Sequence, residues 1–280
     1  MNTLANSVTS RDGTRIAFQR SGTGQPIVLV SPALADRAGS EPLGRLLSRN
    51  LTVINYDRRG RGASADTSPY SVEREIEDID ALVESAGGSA SLFGSSSGAV
   101  LALEAANRLG SKVPALFMYE PPFIVDDTHP PLPVDYLEHL HELISANRRG
   151  EAVEYFMTKA VGVPAEMLPQ MRAMPMWPSL EASAHTLVYD GQVMGDLMNG
   201  KPLPPHRWDL VTAPTLVMAG SNSPAWIHYA AQAVAAVLLR ATYRSIEGLD
   251  HSAVTMAPLD IATTMYGFFL SEHMKGKGSR

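Results

Sequence analysis

The 280-residue chain contains no cysteine. This absence excludes disulfide bonds, a thiolate nucleophile and cysteine zinc sites, because all three need the thiol group. The chain also has no run of about 18 apolar residues, the length that a membrane-spanning helix needs. Met1 to Arg20 lacks the basic start and apolar stretch of a signal peptide. We therefore expect a soluble cytoplasmic protein that does not act at a membrane.

The chain also has no excess of positively charged residues. The 23 lysines and arginines are outnumbered by 29 acidic residues, which gives a net charge of -6. A surface of this kind does not neutralise a phosphate backbone, so nucleic acid is not expected as a partner. Apolar residues make up 45% of the chain, which is normal for a globular protein with a full core. We expect one large domain with an insertion and a small molecule as its partner.

Strand and helix patterns alternate along most of the chain. Asp12-Gly13 is a strong hairpin signal between two short strands, and the later strands are continuous apolar runs of the kind that is buried in a parallel sheet. The predicted strands are 8–11, 15–19, 27–30, 51–56, 91–93, 115–119, 215–219 and 242–246, and the predicted helices are 41–48, 72–84, 99–109, 225–239 and 258–270. This order predicts the α/β class, with a mainly parallel sheet flanked by helices.

One long stretch interrupts the alternation. Residues 121–211 have no convincing strand, and prolines bracket three helical segments there: 135–146, 150–160 and 178–198. We predict that 121–211 is a helical cap, that 1–120 and 212–272 form the core, and that 273–280 is a flexible tail. The predicted cap is rich in methionine, a side chain that suits a pocket for an apolar ligand but is equally common in the cores of small helices.

A serine lies at the centre of the pentapeptide Gly94 to Gly98, between a strand pattern and a helix pattern. A strand that turns sharply into a helix needs small residues two positions on either side of the turn, because larger side chains would collide there. The residue at the turn is strained, and its side chain is exposed. This context predicts that Ser96 is a nucleophile.

A serine hydroxyl needs a base within hydrogen-bond reach, usually a histidine that a carboxylate orients. His251 follows the last predicted strand and precedes the last predicted helix. It is therefore expected at the same sheet edge as Ser96, where the ligands of open parallel sheets gather. None of the other histidines has a comparable position, so we predict that His251 is the base.

Together these motifs resemble the α/β-hydrolase fold superfamily, in its branch of lidded serine esterases, haloperoxidases and dehalogenases. The matching segments are Ile27 to Leu34, Asp57 to Ser64, Gly94 to Gly98 and Gly248 to His251. The resemblance spans nearly the whole chain outside the predicted cap. It implies a catalytic triad and an oxyanion hole, with no cofactor and no metal. A serine at position 96 argues against dehalogenation, which needs a carboxylate nucleophile.

The chain departs from the family pattern at the triad acid. Many relatives carry an aspartate after the strand that follows the cap, but Ser223 occupies this position here. Some members of the superfamily supply the acid from the end of the preceding strand instead, and that position is Glu120 in this chain. We predict Glu120 as the acid, with Asp250 as the weaker candidate.

Two backbone N–H groups should stabilise the oxyanion, one after the nucleophile and one in the loop after the first parallel strand. Ser97 and Ala33 fit these positions, and Leu34 remains an alternative to Ala33 because Pro32 has no N–H to donate. For contacts with the substrate we predict Leu34, Trp177, His185 and Trp226.

These residues predict a hydrolase that cleaves an ester, thioester or lactone of a moderately apolar small molecule through an acyl-enzyme on Ser96. Two alternatives stay open at this point. The same machinery supports carbon–carbon cleavage, a lyase step or a cyclisation, because fold and triad are shared across reactions. The serine at position 223 also leaves open a ligand-binding protein without turnover.

Overall fold

The computed structural model describes residues 6–277, with side chains through residue 272. Eight strands form one sheet: β1 Asn6–Thr9, β2 Arg15–Ser21, β3 Gln25–Val30, β4 Leu51–Tyr56, β5 Ser91–Ser95, β6 Leu116–Tyr119, β7 Thr215–Gly220 and β8 Ala241–Ile246. The order across the sheet is β1-β2-β4-β3-β5-β6-β7-β8. Among the described strands, β1/β2 and β2/β4 are antiparallel pairs, and the other neighbouring pairs are parallel. The prediction of an α/β fold with a mainly parallel sheet is confirmed.

Helices cover both faces of this sheet. The described helices are α1 Glu41–Leu47, α2 Val72–Ser85, α3 Ser97–Leu109, α4 Tyr136–Ser145, α5 Arg149–Phe156, α6 Leu168–Arg172, α7 Trp177–Ser183, α8 Leu187–Met194, α9 Ala225–Val237, α10 Ala253–Met256 and α11 Pro258–Lys277. Successive strand residues point to opposite faces, so Val28 packs in the cluster with α2, α3 and α9, whereas Ile27 packs with α1 and α11. Two apolar layers therefore enclose the sheet.

The segment between β6 and β7 is helical. No strand occurs in residues 120–214, all of which the structure describes, and α4 to α8 fall there. These helices have a small core of their own, which includes Leu140, Val153 and Trp177 and reaches Leu34 of the core. We call residues 121–211 the helical insertion.

The predicted helix over 178–198 is wrong as a single element. It is divided into α7 and α8 by a 3-10 turn over Ala184–Thr186. At this turn Thr186 Oγ1 donates to the carbonyl of Ser183 and accepts from Arg61 Nε of the core. A threonine hydroxyl that bonds the backbone in this way competes with the helical pattern, and the contact with the distant Arg61 is invisible to local sequence rules.

Two other boundaries also differ from the predictions. The segment predicted as a helix over 150–160 is α5 followed by a π-helical turn over Met157–Val161. At the carboxyl end, α11 continues to Lys277, past the predicted boundary at residue 272. Residues 278–280 of the predicted tail lie outside the described part of the chain.

Candidate active site

Ser96 lies at the turn from β5 into α3, with φ 53° and ψ −129°. Both flanking glycines are required by close backbone contacts. A Cβ at Gly94 would overlap the carbonyl oxygen of Gly98, and a Cβ at Gly98 would overlap the carbonyl oxygen of Val30. The spacing of these glycines is therefore a steric requirement of the turn, and the turn presents Ser96 at the amino end of a helix.

Backbone strain is concentrated around this serine. Among the described residues 6–277, the non-glycine residues with positive φ are Leu34, Ser96, Glu120 and Asn147. The first three belong to the loop after β3, the β5 turn and the end of β6. Each such conformation costs about 1 to 3 kcal/mol and persists only where the surrounding structure imposes it. Three strained residues at one sheet edge are typical of a functional site.

Glu120 and His251 form a hydrogen bond at the same edge, between a buried carboxylate and a half-exposed imidazole. Glu120 is fully buried, and its Oε2 accepts from His251 Nδ1 at 2.6 Å. Its Oε1 accepts from the Gly220 N–H at 2.7 Å and from the Ser223 hydroxyl at 2.5 Å. A buried carboxylate needs such partners to remain charged. The bond to Nδ1 leaves Nε2 of the imidazole available to exchange a proton with a nucleophile.

Neither of the other acid positions contacts the imidazole. Ser223 donates to Glu120 instead of supplying a carboxylate. Asp250 Oδ1 accepts from the hydroxyl and the N–H of Ser252, which together hold the pKa of Asp250 below its usual value. The Tyr119 hydroxyl donates to the Asp250 carbonyl at 2.6 Å and so ties the histidine loop to the end of β6.

The predicted oxyanion donors lie beside the nucleophile. Ala33, Ser96 and Ser97 line one cavity together with His251. Leu34 does not line this cavity, because its side chain packs into the core of the helical insertion. The prediction of Leu34 as a side-chain contact for the substrate is therefore not supported, although its positive φ shapes the loop that carries the Ala33 N–H.

The cavity lies between the sheet edge and the helical insertion. Its free space, with the open mouth included, is about 830 Å³. Its walls are mostly apolar: they include Leu132, Tyr136, Phe156, Val161, Leu187, Met194, Met198, Trp226 and Ile227. A second, smaller cavity reaches Ser96 and His251 from the side of Pro32 and Thr255.

Trp226 is the one predicted substrate contact that lines the main cavity. Trp177 is buried in the core of the helical insertion, where its Nε1 donates to Glu181 Oε1. His185 is half-buried beside Asp66, with Nε2 and Oδ2 3.6 Å apart. The predictions for Trp177 and His185 are not supported, since neither side chain lines the cavity that contains Ser96.

The methionines of the insertion do not all face the cavity. Met194 and Met198 line the cavity, whereas Met167, Met174 and Met176 are exposed at the surface. The expectation of a methionine-rich wall therefore holds for the end of α8 and the residues that follow it, and not for the segment around α6.

Sequence reasoning missed Asp190 on α8. This carboxylate lines the cavity and contacts Ser97, Arg58 and Arg61. The only local signal was a single acidic residue within the mostly apolar stretch from Leu187 to Met194. A lone charge in such a stretch indicates a buried partner, but the partner is not identifiable from the stretch itself.

Within residues 6–277, no group of three or more histidine, aspartate or glutamate side chains is arranged to hold a metal ion. No helix in this described range is long and apolar enough to cross a membrane.

Comparisons with known proteins identify the family and the fold. The profile of the Alpha/beta hydrolase family matches residues 27–264, and the chain therefore belongs to this family. An α/β hydrolase from Sphaerobacter thermophilus is 51% identical, with a TM-score of 0.87 over 94% of this chain and 100% of that one.

More distant relatives share the fold. An esterase from Thermogutta terrifontis is 20% identical, with a TM-score of 0.70 over 96% of this chain and 99% of that one. An enol-lactonase from Burkholderia xenovorans is 18% identical, with a TM-score of 0.69 over 95% of this chain and 100% of that one.

The hydrolase YraK of Bacillus subtilis is 32% identical over 123 residues, which are 42% of this chain and 45% of YraK. This chain thus matches less than half of the length of YraK.

Proposed function

We propose that the protein is a serine hydrolase that cleaves an ester, thioester or lactone of a moderately apolar small molecule. Ser96 attacks the carbonyl carbon while its proton passes to His251 Nε2. The carbonyl oxygen takes up the negative charge and accepts from the N–H groups of Ala33 and Ser97. When the tetrahedral intermediate collapses, the bond to the leaving group breaks and His251 returns the proton to it.

Water then releases the acyl group from Ser96, with His251 acting first as base and then as acid. The smaller cavity at Ser96 and His251 gives this water a route that does not cross the apolar cavity. Glu120 accepts from the imidazole throughout and stabilises the imidazolium that forms in each half of the reaction.

The contact between Glu120 and His251 at 2.6 Å carries this proposal. The serine at position 223 was the main argument for a binding protein without turnover, and a carboxylate from β6 on the imidazole removes that argument. The apolar walls of the cavity favour an uncharged substrate. The esterase and the enol-lactonase that share this fold act on bonds of the proposed class.

A fluorophosphonate probe tests the nucleophile. The wild-type protein should be labelled at one serine and should hydrolyse p-nitrophenyl esters or lactones. Ser96→Ala should abolish both the labelling and the hydrolysis. Ser245→Ala is the control, because Ser245 is exposed on β8. Labelling that persists in Ser96→Ala would remove Ser96 from this role.

The acid is tested by Glu120→Gln, which keeps the shape of the side chain. By analogy with the loss of a triad acid, turnover should fall about 10⁴-fold, while the far-UV circular dichroism spectrum stays unchanged. A wild-type protein that binds apolar ligands but turns over no ester, thioester or lactone would contradict the proposed function.

A further inference from the structure

Asp190 is a buried carboxylate that the helical insertion contributes to the site. It lies on α8, is 3% exposed and lines the main cavity next to Ser97. Its Oδ1 accepts from the Ser97 hydroxyl and from Arg58 Nη1, both at 2.7 Å, and its Oδ2 accepts from Arg61 Nη2 at 2.5 Å. Both oxygens are thus occupied by groups of the core.

The two arginines connect Asp190 to the loop after β3. Arg61 Nη1 donates to the carbonyls of Pro32 at 2.6 Å and Ala35 at 3.3 Å, and Arg58 Nη1 donates to the carbonyl of Ser31 at 3.3 Å. These carbonyls lie on both sides of Ala33 and Leu34. Because a peptide unit is planar, bonds that hold the carbonyls also set the direction of the N–H groups between them.

The charges in this cluster are balanced. Arg58 and Arg61 are fully buried, and the carboxylates that pair with them are Glu75, which accepts from two nitrogens of Arg58, and Asp190. Burial by itself raises the pKa of Asp190, but Arg58 and Arg61 outweigh this effect and hold the pKa below its usual value. Asp190 is therefore ionised, and its loss would leave a buried guanidinium without a counter-charge.

We propose that Asp190 is a positioning residue for the oxyanion hole, a role that rests on the serine-hydrolase function proposed above. It holds one donor through the Ser97 hydroxyl and the other through the arginines that hold the loop after β3. The oxyanion hole is complete only while α8 is docked on the core. The helical insertion therefore contributes to the chemical step as well as to the walls of the cavity.

A consequence is that α8 stays on the core during turnover. If α8 separated from the core, Arg58 and Arg61 would lose the carboxylate of Asp190. The two positive charges would then share Glu75 as their remaining carboxylate partner. Val161, which is 44% exposed, also lines the cavity, so a wall away from α8 reaches the surface.

The test replaces Asp190 with asparagine, which keeps the shape and removes the charge. We expect kcat per active site, titrated with the fluorophosphonate probe, to fall about 30- to 300-fold, somewhat less than the roughly 100- to 1,000-fold cost of a lost oxyanion donor because the donors are misdirected and not removed, with KM changed less than threefold. A boronic acid, which forms a tetrahedral adduct on the serine, should bind more weakly by a similar factor. An uncharged ground-state inhibitor should bind as before.

A double-mutant cycle separates positioning from general stability. Ser97→Ala keeps the backbone N–H but loses the contact with Asp190, so kcat should fall three- to tenfold. The cycle pairs Ser97→Ala with Asp190→Ala, which removes the acceptor of the Ser97 hydroxyl, and the double variant should be no slower than Asp190→Ala alone because both changes break the same contact. Asp196→Asn, at an exposed aspartate of the insertion that pairs with Arg207, is the control and should leave both constants unchanged.

Two results would overturn the proposal. In the first, Asp190→Asn lowers the melting temperature and the number of titrated sites while kcat per site stays at the wild-type value, as a purely structural role requires. In the second, which applies also if Asp190→Asn does not fold, Ser97→Ala has wild-type kcat. Failure of the proposed function is distinct from both, since the wild-type protein would then show neither labelling nor turnover.

Discussion

At the residue scale, the orientation of Glu120, the acid of the candidate triad, depends on Ser223. Ser223 stands where many relatives carry the acid, and it donates at 2.5 Å to the carboxylate oxygen of Glu120 that does not contact His251. The Gly220 N–H donates to the same oxygen. These two donors orient the carboxylate so that its other oxygen faces the imidazole. Ser223 therefore helps to orient the acid, although its own side chain cannot be the acid.

We predict that Ser223→Ala lowers kcat about tenfold and leaves KM nearly unchanged. A hydrogen bond to a charged group contributes about 1.5 to 3 kcal/mol, part of which the Gly220 N–H and water replace. The measurement is steady-state hydrolysis of a p-nitrophenyl ester, with Ser245→Ala as the matched serine control. Wild-type kcat in Ser223→Ala would show that Gly220 alone orients Glu120.

At the element scale, the turn between β5 and α3 leaves no space for a side chain at either of its glycines. The amino end of α3 lies so close to β3 that a side chain at Gly98 would overlap the carbonyl oxygens of Val30 and Ser31. Since β3 lies beside β5 in the sheet, the overlap cannot be relieved without moving α3 off the sheet. The glycine thus sets the packing distance between strand and helix.

We predict that Gly98→Ala lowers the free energy of unfolding by about 3 kcal/mol, the upper range for overpacking of a core, and abolishes labelling of Ser96. Gly267→Ala is the control, because Gly267 lies in α11 with open space where its Cβ would be. That change should stabilise the protein by about 0.5 to 1 kcal/mol through helix propensity. Urea unfolding measures both values, and equal stabilities of the two variants would contradict the steric argument.

At the scale of the whole molecule, the cavity exists because the helical insertion covers the carboxyl edge of the sheet. Trp226 at the start of α9 lies across this boundary. Its ring lines the cavity and contacts His129 of the insertion, with ring centroids 4.5 Å apart. The indole therefore forms part of the wall between core and insertion, and its size limits the space available to a substrate.

We predict that Trp226→Ala shifts the preference of the enzyme toward longer acyl chains. The ratio of kcat/KM for p-nitrophenyl octanoate to that for the acetate should rise about tenfold, since differences of this order arise from small changes in pocket volume. Tyr229→Ala is the control, because Tyr229 lies on the exposed side of the same helix. An unchanged ratio in Trp226→Ala would mean that Trp226 does not contact the acyl group.

Much of the core was predictable from the sequence because its signals are local. The alternation of apolar runs and helix patterns predicted the parallel sheet, and the glycine spacing around Ser96 follows from contacts within one turn. Glu120, at the end of a strand and before Pro121, was predicted as the acid through the family resemblance, because some members supply the carboxylate from this position. His251 was predicted from its place after the last strand, since the carboxyl ends of parallel strands share an edge.

The sequence by itself determined the order of the strands along the chain and the positions of the serine, histidine and acid. Only the tertiary structure decided how the insertion meets the core. It keeps Trp177 and His185 out of the cavity wall and divides the helix predicted over 178–198. It also brings Asp190 into contact with Ser97. The physical reason is the range of the contacts. Asp190 and Arg58 are 132 positions apart, and a pairing over such a distance depends on how two packed layers dock, which no local pattern records.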